Sequence, residues 1–164
     1  MLEAVLAAVD DARERIVVGP PQVVPSGVLV VRENPPGGGP VAALRAGLAV
    51  VDTPIVTVLA GDLPFLTAPV VQQLRGALLE QPTADAVLVV DDAGRDQYLL
   101  GAWRVAALRR ALAGAAGHAP VRRLLERLTV CRLHPEVPVG SPPPWTDCDT
   151  PAELARAQAL AARG

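Results

Sequence analysis

Pro54-Ile55-Val56-Thr57-Val58-Leu59-Ala60-Gly61-Asp62 is the stretch on which the fold turns. It is apolar almost throughout, has the length of one strand and stops at a glycine and an aspartate. Strands buried on both faces read as such unbroken runs, as in parallel sheets covered by helices. Ala86-Val87-Leu88-Val89-Val90 has the same character, and Arg15-Ile16-Val17-Val18-Gly19 and Val28-Leu29-Val30-Val31 are shorter strand-length runs. Tyr98-Leu99-Leu100-Gly101-Ala102-Trp103 reads as a further strand after the polar turn Gly94-Arg95-Asp96-Gln97, and residues 129–133 as an edge strand.

Between these runs the apolar spacing is helical. Leu2, Val5, Leu6 and Val9 place the start of the chain inside a helix; Val41, Leu44, Leu48 and Val51 form one face of a second. Val70, Val71, Leu74 and Leu78 form the face of a third, with Thr67 as its expected cap. Residues 104–113 and 120–128 read as two more, and Thr150-Pro151-Ala152-Glu153 is a capping box that opens a last one. Strands alternating with helices predict one α/β domain over residues 1–164, with a doubly wound, mainly parallel sheet and helices on both faces.

Composition removes several classes of function. The chain has 164 residues and a formal net charge of −2, so there is no basic excess for a nucleic acid or an anionic membrane. Aromatic residues make up only 2%, which leaves little surface for stacking bases. No apolar run approaches the ~20 residues that span a bilayer, and the N-terminus has no basic signal-peptide region; a cytoplasmic protein is expected. Cys131 and Cys148 are far apart, which fits reduced thiols rather than a disulfide or a zinc site, and His118 and His134 stand isolated. All fifteen basic residues are arginine, so no step can use a lysine.

In an open parallel sheet, ligands sit outside the carboxyl ends of the strands. Three polar clusters fall there: Arg32-Glu33-Asn34 with the loop Pro35-Pro36-Gly37-Gly38-Gly39-Pro40, then Gly61-Asp62, then Asp147-Cys148-Asp149. A carboxylate fixed at the end of a rigid strand, with Gly61 leaving space beside it, suits a hard cation such as Mg²⁺, which takes one or two protein carboxylates plus water and phosphate oxygens. Asp62 is that carboxylate unless it only caps a local turn; Asp149 is either its companion or part of the last helix cap. The glycine loop leads into a helix N-terminus, where amides favour anions. Glu33 is either an exposed strand-end acid or a contact to a ribose hydroxyl or base edge.

Residues 32–44, the segment Leu59-Ala60-Gly61-Asp62-Leu63-Pro64-Phe65-Leu66 and the segment Asp147-Cys148-Asp149-Thr150-Pro151-Ala152-Glu153-Leu154, in that order, resemble the molybdenum cofactor guanylyltransferase family. The resemblance covers nearly the whole chain and implies a Rossmann-like fold of the nucleotide-diphospho-sugar transferase type. It implies a Mg²⁺-dependent nucleotidyl transfer: the phosphate of molybdopterin attacks the α-phosphorus of GTP, and pyrophosphate leaves. By resemblance, Asp62 is the metal-binding and catalytic aspartate, with Asp149 as a second metal-side ligand where the family usually has asparagine. Glu33, Asn34, Gly39 and Pro40 would lie on the nucleotide side, and Arg95, Asp96, Gln97 and Asp147 would face the acceptor.

The chain departs from that family at its start. The family opens with a strand and a loop of the form L-A-G-G-x-x-x-R-M-G-x-D-K, whose arginine and lysine neutralise the triphosphate; neither strand nor loop is present, and a family asparagine is replaced near Gly19-Pro20. The absent strand would be central, so an apolar gap flanked by two exposed strands is expected. The expectations that follow are a domain incomplete at its N-terminus, weak nucleotide binding and undetectable turnover by the 164-residue chain. The alternatives are transfer to another phosphorylated acceptor, such as a sugar phosphate or phospholactate, and a non-catalytic binding protein on the same fold.

Overall fold

The computed structural model describes residues 1–115, 119–148, 150, 152–155 and 159. In chain order the elements are α1 (Leu2–Ala8), β1 (Arg15–Val18), β2 (Val28–Val31), α2 (Gly39–Leu48), β3 (Ile55–Leu59), α3 (Ala68–Glu80), β4 (Ala86–Val90), β5 (Asp96–Arg104), α4 (Val105–Ala113), α5 (Arg122–Leu125) and β6 (Val130–Leu133). The α/β class and nearly every expected strand stand. The helix expected over residues 120–128 shortens to the single turn of α5. Thr67 occupies the N-cap of α3 without making a side-chain cap bond.

β4 shows why helices cover both faces. Its five residues are all buried, and alternate ones point opposite ways, as strand geometry requires. Val87 and Val89 join a core with Val70, Val71, Leu74 and Leu78 of α3. Ala86 and Leu88 join the opposite core with Val41, Leu44 and Leu48 of α2 and Leu108 and Leu112 of α4. Leu74 and Leu78 are wholly buried, and each such leucine contributes about 1.5–3 kcal/mol by leaving water.

Arginines close several helix ends. Arg45 of α2 donates to the carbonyls of Leu112 and Ala115 at the end of α4, and Arg109 of α4 donates to Leu48 and Val51 at the end of α2. Arg104 does the same for Leu78 and Gln81 at the end of α3. Terminal carbonyls of a helix lack partners within it, and a cation there also suits the dipole.

Two features differ from a single parallel sheet. First, β5 runs antiparallel to both its neighbours in the order β3-β5-β4-β6, while β4 and β6 are parallel. The reason is the short link from β4 to β5, with Gly94 at φ +77° in a tight turn. So few residues can join only antiparallel neighbours, because a parallel crossover needs a dozen or more. Second, β1 and β2 form their own parallel pair. A groove of about 430 Å³ lies between β1 and β3, lined by Leu6, Ile16, Val18, Ile55, Thr57 and Leu59. Among the described residues the strand edges on both sides of this groove are unpaired. This corrects the reading of residues 54–60 as wholly buried: β3 pairs on one side only among the described residues, and all five of its residues are half-buried.

Candidate active site

Because β5 opposes both β3 and β4, those two strands point the same way, and β6 joins them. Their carboxyl ends therefore meet the start of β5 along one edge of the sheet. A hollow of about 940 Å³ lies there, and its polar lining includes Asp62, Asp91, Arg95, Gln97, Arg132 and Asp147.

Asp62 follows β3. Its backbone is fixed from both sides: the Ala60 amide donates to the Leu99 carbonyl of β5 (2.7 Å), and the Cys148 amide donates to the Asp62 carbonyl (3.1 Å). The side chain lines the hollow, and its Oδ1 is buried with no hydrogen-bond partner among the described residues. A buried carboxylate oxygen without a donor is costly, so a cation or a donor from a ligand is what this oxygen lacks. Gly61 has a different part from the one expected. It faces the groove beside β3, where an added Cβ would meet Leu2 at an ordinary 3.8 Å. The amide bond to the Asp62 carbonyl brings Cys148 to Asp62; Asp149 lies outside the described residues, as does His118. The capping box does form: the Thr150 amide donates to Glu153 and the Glu153 amide donates to the Thr150 hydroxyl. Among the described residues no group of three or more acidic, histidine or cysteine side chains could hold a metal.

Asp91 follows β4 and was not singled out in the sequence, although it carries the same signal as Asp62, an aspartate just past an apolar strand. It is 3% exposed. Its Oδ1 accepts from the amides of Ala93 and Arg95 (both 2.9 Å), and its Oδ2 from Arg95 Nε (2.8 Å) and Gln97 Nε2 (3.1 Å). The Arg95 amide above all holds this carboxyl below the ordinary aspartate range, with the Arg95 side chain and the Ala93 amide acting the same way against burial. Asp91 thus fixes Arg95 and Gln97, two of the four residues expected to face the acceptor; Asp147, another of the four, lines the hollow. The remaining one, Asp96, is taken up by Arg132, which reaches from β6 past β4 with Nε at 2.8 Å and an Nη at 2.9 Å. This bond and charge raise the Arg132 guanidinium above its usual value. Arg132 was also missed; a lone charge in a four-residue edge strand gives no sign of where it points.

The residues expected on the nucleotide side lie elsewhere. Glu33, Asn34, Gly39 and Pro40 follow β2 and open α2, and none of them lines the hollow that holds Asp62. Asn34-Pro35 is a cis peptide. Glu33 Oε1 accepts from the Gly37 amide (2.9 Å), and this bond chiefly holds Glu33 below the usual carboxylate range. Its Oε2 is buried without a partner among the described residues. Gly37 and Gly39 have φ of +72° and +80°, and a Cβ on Gly38 would stand 2.8 Å from the Pro35 carbonyl oxygen, so the loop's backbone path requires its glycines.

The family model of the MobA-like NTP transferase domain matches residues 1–133. No curated protein matches the chain. Among solved structures, 2-C-methyl-D-erythritol 4-phosphate cytidylyltransferase from Thermus thermophilus is similar, with 22% identity and a TM-score of 0.71 over 99% of this chain and 89% of that one. Molybdopterin-guanine dinucleotide biosynthesis protein A from Archaeoglobus fulgidus also matches, with 22% identity and a TM-score of 0.58 over 83% of this chain and 69% of that one. A 4-diphosphocytidyl-2C-methyl-D-erythritol synthase has 15% identity and a TM-score of 0.66 over 97% and 88% of the two chains. At such identities the solved structures support the fold, an α/β arrangement with parallel-rich sheets.

Proposed function

The chain belongs to the MobA-like NTP transferase domain family, which makes it a nucleotidyltransferase by family, and from that premise we propose that its site is of the kind that transfers GMP from GTP to molybdopterin with release of pyrophosphate, with weak nucleotide binding and undetectable turnover by the 164-residue chain itself. The observation that supports placing the reaction here is the buried Oδ1 of Asp62 in the strand-end hollow, which has no partner among the described residues.

The residues present fit a divalent cation. Four carboxylates, those of Asp62, Asp91, Asp96 and Asp147, line the hollow against the guanidiniums of Arg95 and Arg132, so its formal charge is −2. Beside Asp62 and Asp147, away from the two arginines, a bare triphosphate would be repelled. When bound, Mg²⁺ supplies the neutralising charge for the phosphate oxygens. Asp62 would hold it on the protein side, with Asp149 as its companion; phosphate oxygens and water fill most of a magnesium shell, so a single well-fixed carboxylate meets much of the protein's share. On the acceptor side, Asp91 holds Arg95 and Gln97 in place before any substrate arrives. Glu33, with one oxygen bracing the glycine loop and the other buried without a partner among the described residues, would contact the nucleotide. No transferred proton need pass through a dedicated base: positioning and charge neutralisation carry this kind of transfer. The same reading places the chain in the cytoplasm with its small substrates. No helix of the described residues is long and apolar enough to cross a membrane.

A second reading is CTP as donor with a different phosphorylated acceptor, favoured by the higher TM-score and coverage of the cytidylyltransferase. A panel of GTP, CTP, ATP and UTP with and without Mg²⁺, read as thermal stabilisation, separates the two. Ligand at about ten times its Kd adds roughly 1.4 kcal/mol, which is a few degrees for a chain of this size. The largest Mg²⁺-dependent shift is expected with GTP. A larger shift with CTP selects the second reading, and no shift with any nucleotide, even at concentrations high enough to load a weak site, favours a non-catalytic protein.

A further inference from the structure

Asp96 was expected to touch the acceptor, yet both its oxygens are occupied by Arg132. We infer that Arg132 is the residue that faces the acceptor, that Asp96 is its positioning residue, and that Arg132 and Arg95 together hold a phosphomonoester-type anion at the far side of the hollow from Asp62. This inference rests on the nucleotidyltransferase reading for the anion's identity as part of the acceptor.

Asp62 follows β3 at one edge of the four-stranded sheet and Arg132 lies on β6 at the other, with β5 and β4 between them. The side chain of Arg132 crosses β4 to reach Asp96 on β5, so its guanidinium lies over the end of the sheet rather than beyond its edge. Nε and one Nη are used by Asp96; Nη1 makes no hydrogen bond among the described residues, and the side chain is 57% exposed. Arg95 is built alike: Asp91 takes its Nε, both Nη atoms are free of protein partners among the described residues, and the side chain is 78% exposed. Both arginines line the same hollow. Each is gripped by a carboxylate that is itself nearly buried, at 4% exposure for Asp91 and 14% for Asp96. Two clamped guanidiniums lose little further freedom when they bind, and the carboxylates offset the repulsion between them. Planar donors held in this way suit the oxygens of a phosphate.

The test uses the 164-residue chain and inorganic phosphate in a phosphate-free buffer. Phosphate is expected to shift the side-chain Nε–H resonances of Arg132 and Arg95 in the unaltered protein and to leave that of the exposed Arg123 in place. Arg132→Gln is expected to raise the phosphate Kd about tenfold, and Arg132→Lys at least about fivefold, because an ammonium cannot grip Asp96 and present a second donor pair together. Asp96→Asn removes a negative charge, so charge alone predicts tighter binding; loss of the clamp predicts about threefold weaker binding, recovered in part by Asp96→Glu. An Arg132 resonance that does not respond to phosphate, a Kd for Arg132→Gln within twofold of the unaltered chain, or phosphate binding by Arg132→Lys that equals the unaltered chain overturns the site. Tighter binding by Asp96→Asn overturns the positioning role. No nucleotide enters these measurements, so a failed nucleotide panel leaves their result intact and their failure leaves the panel's intact.

Discussion

β3 with Asp62 and β4 with Asp91 are two versions of one sequence pattern, five mostly apolar residues and then, within a few positions, an aspartate. The fold treats them differently. β4 lies between β5 and β6, all its residues are buried, and Asp91 accepts four hydrogen bonds. β3 pairs with β5 alone among the described residues, its residues are half-buried, and Asp62 keeps an oxygen without a donor. A strand with neighbours on both sides turns its terminal carboxylate into an anchor for the following turn. A strand with one neighbour leaves the carboxylate to whatever enters the hollow.

The comparison can be broken most directly at the two carboxylates. Asp62→Ala should weaken Mg²⁺-dependent stabilisation by GTP about a hundredfold in apparent Kd, within the range typical for lost metal-site groups, and leave the melting temperature of the free protein nearly unchanged. Asp91→Ala should do the reverse, lowering the melting temperature of the free protein because four donors lose their acceptor. Similar behaviour of the two variants in the same thermal-shift assay would erase the distinction.

Gly101 tests the strand that both share. A Cβ there would stand 2.5 Å from Leu88 Cδ2 and 2.8 Å from the Val87 carbonyl oxygen, on the β4 side of β5. Leu88 can turn away, but the carbonyl cannot, so Gly101→Ala should cost about 2–3 kcal/mol in urea unfolding. A neutral result would mean that β4 and β5 are not packed this closely. Matched truncations come next. Val89→Ala in the buried strand should cost about 2 kcal/mol, and Val58→Ala in the half-buried one less than about 1 kcal/mol; equal costs would show that β3 is as covered as β4.

The smallest effect is on pH dependence. The folded-state pKa of Asp91 is depressed, so its contribution is fully present above the ordinary aspartate value of about 3.9 and is lost as pH falls through the lower folded value. Asp91→Asn should therefore flatten the acid limb of the stability curve below about pH 4; acid unfolding of both proteins, followed by Trp fluorescence, gives the comparison.

Local patterns were legible where local chemistry decides. The strands at residues 55–59 and 86–90, the helix faces at Leu44 and Leu74 and the capping box at Thr150 all follow from spacing and turn residues. The direction of β5 was also within reach, since a link as short as the one around Gly94 permits only an antiparallel return; the alternation of strands and helices outweighed it. Strand order was not legible, and with it went the half-exposure of β3, because Pro54-Ile55-Val56-Thr57-Val58-Leu59-Ala60 reads the same with one neighbour or two. Arg132 was hidden for a related reason. Its partner Asp96 is 36 residues away, and their meeting depends on β5, β4 and β6 lying side by side.

The arginines that close the helix ends have a consequence for alkaline solution. Arg45, Arg104 and Arg109 bind carbonyls of α4, α3 and α2 through guanidinium groups, and a guanidinium keeps its proton at any pH that a protein survives. Lysines in those places would begin to release their grip near their own titration. This chain has no lysine, so the two links between α2 and α4, made by Arg45 and Arg109, contain no ammonium group that alkali could neutralise.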